Sequence, residues 1–86
     1  MITLAKLNTY RKFRGDSDSW DRMVKAQDPD EITYGEWSAV DLILQSLRIV
    51  RGGMATPEFA EQTFEKLNAM AEDQSIRDQL IELAML

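Results

Sequence analysis

Leu4, Leu7, Tyr10 and Phe13 recur every three positions, and that spacing predicts a helix over residues 3–14 with these four side chains on its inner face. Gly15 follows as the expected C-terminal cap, because glycine enters the left-handed region without steric cost. Lys12 and Arg14 sit in the last turn, where cations complement the helix dipole. A second, shorter helix is expected to begin near Ser17 or Ser19, with Trp20, Met23, Val24 and Gln27 inward. Asp28-Pro29-Asp30 ends it, since the residue before proline is pushed out of the helical region.

The next segment carries the clearest local signal. Thr33-Tyr34-Gly35-Glu36 matches a capping box, with Thr33 as N-cap and Glu36 reaching back to its amide. Trp37, Val40, Ile43, Leu44, Leu47 and Val50 then follow at helical spacing until Gly52-Gly53 stops the run. Leu42 and Ile49 lie outside that stripe, which predicts a helix buried on more than one side. Thr56-Pro57-Glu58 opens another helix, with proline at the position where its missing donor costs nothing. Its inward face reads Phe59, Ala60, Thr63, Phe64, Leu67, Met70 and Ala71. Ser75 and Asp78 suggest a last start, with Ile76, Leu80, Leu83 and Ala84 inward. No period-two alternation, repeat or dividing linker interrupts this pattern. The expected fold is all-α, a small single-domain bundle of four to five helices over residues 1–86, built around a central helix at about residues 34–51.

Composition narrows the chemistry. With 44% apolar and 29% charged residues, the chain of 86 residues is too apolar to stay disordered and too short for two domains. Having no cysteine and no histidine excludes disulfides, thiolate metal sites, cysteine nucleophiles and the commonest general base. The longest aliphatic run, Leu42-Ile43-Leu44, falls far below the ~20 residues that span a bilayer, and no signal peptide is read at the start. A soluble protein in the cytoplasm, without a membrane partner, is the expectation.

Charge is unevenly placed. The net charge is −5, yet residues 1–15 carry Lys6, Arg11, Lys12 and Arg14 with no acid. Residues 16–31 hold Asp16, Asp18, Asp21, Asp28, Asp30 and Glu31 against Arg22 and Lys25, and a second acidic block covers residues 56–86. An acidic surface repels phosphate backbones, so nucleic acid is not an expected partner.

Individual motifs resolve to structural readings. Counted from Asp16, a calcium loop would need an oxygen ligand at Trp20, glycine at Asp21 and glutamate at Gln27, so three requirements fail. No metal or cofactor is expected. Arg14-Gly15-Asp16 spells an adhesion tripeptide that also arises by chance. Tyr10-Arg11-Lys12-Phe13-Arg14 interleaves cations with aromatics, but both rings fall on the apolar stripe. Gly52-Gly53 precedes no phosphate-binding pattern. Paired carboxylates are the remaining catalytic option, and a domain this small has little room for the concave site they need. No catalytic residue is assigned, and the chain reads as a non-enzyme.

Two functional classes remain. One is a non-catalytic acidic protein-binding module, an inhibitor or immunity-type protein that neutralises a basic partner such as a toxin or nuclease. Its surface would comprise Asp16, Asp18, Trp20, Asp21, Asp28, Asp30, Glu31 and Tyr34, carboxylates around aromatic anchors. The alternative is a structural or assembly module, a self-associating helical adaptor or phage-type accessory protein. Apolar excess over residues 37–50 and the apolar ending over residues 80–86 motivate it, and a homo-oligomer fits it. A helix-turn-helix regulator ranks third, because the helix over residues 57–72 carries only Lys66 as a cation.

Overall fold

Thr3 places its hydroxyl against the Lys6 amide and starts the first helix, α1 (Leu4–Phe13). The computed structural model describes residues 1–14 and 32–86, so the expected Gly15 cap and the helix over residues 17–27 lie outside the described residues. Three further helices follow: α2 (Tyr34–Arg51), α3 (Pro57–Met70) and α4 (Gln74–Ala84). The all-α expectation holds, with one isolated parallel bridge between Ile2 and Ala71 among the described residues.

Each start has a side-chain cap. The capping box of α2 is complete: the Glu36 amide donates to Thr33 Oγ1 at 3.2 Å, and the Thr33 amide donates to Glu36 Oε1 at 3.1 Å. Thr56 accepts from the Phe59 amide at 3.1 Å, with Pro57 in the first turn. For α4 the cap is Asp73, which accepts from the Ile76 amide at 3.0 Å, rather than Ser75 or Asp78. The earlier start follows from Ala71 and Asp73 being extended, so the chain re-enters a helix as soon as the carboxylate can cap it. Gly53, at φ +75°, supplies the left-handed turn that ends α2.

The central helix packs against both α3 and α4. Val40, Ile43, Leu44 and Leu47 meet Leu67 from α3 and Ile76, Leu80, Leu83 and Ala84 from α4 in one buried cluster. Trp37, expected to be buried, is half-buried and packs on the rim of that cluster. Leu7 and Tyr10 bring α1 into the same core, while Leu4 is 50% exposed and does not belong to it. Ile2 takes the inner place instead. Its amide donates to the Met70 carbonyl at 2.6 Å and its carbonyl accepts from the Glu72 amide at 3.1 Å. This pairing pins residue 2 beside the α3–α4 corner, so Leu4 falls on the outside of the first turn.

At the far end of the bundle, Arg48 Nε donates to the Ala84 carbonyl at 3.3 Å and Arg51 Nη1 to the Met85 carbonyl at 3.2 Å. These two cations satisfy carbonyls that the end of α4 leaves without intrahelical partners. Among the described residues, no helix is long and apolar enough to cross a membrane.

Candidate protein-interaction surface

Of the residues expected to form the acidic binding patch, Asp16, Asp18, Trp20, Asp21, Asp28, Asp30 and Glu31 lie outside the described residues. Tyr34 is described: it opens α2 and is 51% exposed.

The cations of α1 are engaged by this chain's own groups. Lys6 Nζ donates to Glu36 Oε2 at 2.5 Å, and Arg11 Nη1 donates to Gln79 Oε1 at 2.7 Å. Lys12 lies 5.4 Å from the centroid of the Phe13 ring, and the Arg14 guanidinium lies 5.8 Å from that of Tyr10. Within the interleaved segment, Arg11 therefore reaches α4, while Lys12 and Arg14 lie over rings of the segment itself.

Among the described residues, two titratable groups depart from their ordinary behaviour, and both hold α1 to α2. Burial, helped by the hydrogen bond to Asp41, pushes the Tyr10 phenol well above the usual tyrosine range. Burial pulls the Glu36 carboxyl the other way from its neighbours, but the bonds from Lys6 and Thr33 win and hold it below the ordinary carboxylate value. Tyr10 also packs its ring on Trp37 at 4.7 Å between centroids. Both groups thus make contacts that fasten α1 to α2. Among the described residues, no cluster of three or more acidic side chains is arranged to hold a metal ion.

The open surface lies elsewhere. Leu42 is 63% exposed and Ile49 45%, which corrects the expectation that α2 is buried on more than one side. The reason is geometric. Both α3 and α4 pack against the arc of α2 that carries Val40, Ile43, Leu44 and Leu47, and no described element covers the opposite arc. At 3.6 residues per turn, that opposite arc spans about 120° and carries Gly35, Ser38, Ala39, Leu42, Ser46 and Ile49, with Gln45 at its edge. It bears no charge, in a chain of which 29% is charged.

Beside this arc runs an open groove of about 400 Å³ between α2 and α3. Ala39, Leu42, Ile43 and Ser46 form one wall, and Lys66, Ala69 and Met70 form the other. Leu42, 63% exposed, stands at the groove's open edge. Lys66 has no ion-pair partner among the described residues. The sequence carried a signal for this surface that periodicity alone overlooks: the absence of charge along the arc of α2 opposite its buried face. No protein-family profile, curated protein or solved structure matches this chain.

Proposed function

We propose that this chain is a non-catalytic helical module whose task is to dock another protein, and that the uncharged arc of α2 with its adjoining groove is the docking surface. One observation carries the reading. Leu42 and Ile49 are held in water at 63% and 45% exposure on an uncharged arc, beside a groove lined largely by apolar side chains. An exposed apolar strip with a polar rim suits an apolar helix face from a partner. The test is affinity capture from the native host with the full chain and with its Leu42→Lys, Ile49→Lys double variant. A captured protein that the double variant loses, while its helical content is retained, supports docking on this arc. Identical capture by both proteins contradicts it.

A second reading rests on charge. The six carboxylates of residues 16–31 precede Tyr34, which is half exposed at the start of α2. Carboxylates beside an aromatic anchor suit a basic partner, in the manner of an inhibitor or immunity protein. The two readings are separable, because the first depends on apolar area and the second on salt-sensitive association.

A further inference from the structure

The groove lies on only one flank of α2. Ala39, Ile43 and Ser46 face it together with α3, whereas Asp41 lies on the other flank, bonded to Tyr10 of α1. Leu42 sits between the flanks, at the groove's lip and 63% exposed. A molecule with an apolar groove and an apolar side chain projecting beside it is complementary to itself.

We propose that a second copy of this chain occupies the groove, with two α2 helices running side by side in the same direction about a two-fold axis along their length. Each Leu42 then enters the other copy's groove. This proposal rests on the reading of the α2 arc as a docking surface and names its occupant.

Three observations favour this occupant and this direction. The first is the flank itself. Antiparallel α2 helices would put the two grooves on the same side, Lys66 beside Lys66, and neither Leu42 could enter. Parallel helices exchange the flanks, so each groove receives the other copy's Leu42. The second is charge. Two chains of net charge −5 repel over most of their surfaces, but this arc is uncharged. In the parallel arrangement Lys66, which has no ion partner in its own chain among the described residues, comes opposite the flank that carries Asp41 of the partner subunit. The third is spacing. Gly35, Leu42 and Ile49 recur every seven residues, the repeat that keeps two parallel helices in register along a shared seam. Gly35 has no internal reason to be glycine: its φ is not positive, and an added Cβ would meet nothing within 4 Å. A close helix–helix approach gives it one.

The seam is short and has polar Ser38 and Gln45 between its apolar positions, so the dimer should be concentration-dependent rather than permanent. Sedimentation of the full chain over about 5–500 µM should show a monomer–dimer equilibrium. Leu42→Lys should weaken it at least tenfold with helical content unchanged. The chain has no cysteine, so single cysteines report direction without a background. Ile49→Cys should cross-link to its own counterpart under mild oxidation far faster than the distant control Gln74→Cys. In an antiparallel pair centred on Leu42, the two Ile49 positions would stand about 21 Å apart along the helices, beyond the ~7 Å reach of a disulfide. A monomer at every concentration overturns the proposal, and so does cross-linking at Leu42→Cys without cross-linking at Ile49→Cys. If self-association fails but the double variant still loses a captured protein, the second copy is the wrong occupant and the docking surface stands. If capture is also unchanged, the docking surface itself is wrong.

Discussion

The Tyr10 hydroxyl donates a 2.6 Å hydrogen bond to Asp41 Oδ1, across 31 positions of sequence, and fastens α1 to the central helix. The ring is buried at 1% exposure and leans on Trp37, so the hydroxyl has little alternative partner. Tyr10→Phe keeps the ring and removes the donor, leaving the Asp41 carboxylate short of a partner. The expected cost is about 1–3 kcal/mol at neutral pH, read by urea denaturation. Because the folded-state value of Tyr10 is raised, its contribution is complete below the ordinary tyrosine value of about 10 and is lost as pH climbs above it. The gap between wild type and Tyr10→Phe should therefore narrow in the alkaline range. A constant gap up to pH 11, about one unit above that value, would mean the hydroxyl is not held as described.

Glu36 joins two jobs in one carboxylate, completing the α2 capping box and receiving Lys6 from α1. Glutamine can still cap but cannot pair with the ammonium. Glu36→Gln should cost about 1–2 kcal/mol at neutral pH, since the lost bond is charge-assisted and both side chains are under a fifth exposed. The folded carboxyl sits below its ordinary value, so this stabilisation is present above about pH 4.3 and disappears as pH falls through the folded value. Wild type and variant should converge in acid. Equal stabilities at neutral pH would remove the Lys6–Glu36 pair from the account of how α1 is held.

Leu44 and Leu42 are two positions apart on one helix and should behave oppositely. Leu44 is 1% exposed at the contact of α2 with its neighbours, so Leu44→Ala should cost about 2–5 kcal/mol. Leu42→Ala should change stability by less than about 0.5 kcal/mol. Calorimetric or chemical unfolding of the two variants side by side checks this, and similar losses would mean that the outer arc is covered.

Should a basic partner be found, replacing Asp16, Asp18, Asp28 and Asp30 by asparagine should slow association strongly and leave stability nearly unchanged. The rate should also fall with salt, because exposed charges are screened over about 8–10 Å. Glutamine at Glu61, Glu65 and Glu72 provides the control on the other acidic block. Association that responds to the control set alone would place the acidic contact on α3 and the turn that follows it.

Most of the fold was legible because local signals agreed with one another. Thr33 and Glu36 marked the start of α2, Gly52-Gly53 its end, and Thr56-Pro57 the start of α3, each through backbone groups within a few residues. What could not be read locally was long-range. The pairing of Ile2 with Met70 and Glu72 has no sequence signature, and it displaced Leu4 from the expected inner face. Leu42 and Ile49 were apolar in the sequence whether covered or open. Only the placement of α3 and α4 on one side of α2 decides that they are open. The acidic run of residues 16–31 stood out by charge but lies outside the described residues, whereas the uncharged arc of α2 stood out only by what it lacked.

The most direct test of that arc as an open, available surface is the unfolding free energy of the Leu42→Lys, Ile49→Lys double variant, measured at a concentration low enough to keep the chain monomeric. Two lysines on a face that meets only water should leave stability within about 0.5 kcal/mol of wild type. A loss of more than about 2 kcal/mol would show that the face is buried within the chain itself, and would contradict the assignment of this arc as a docking surface.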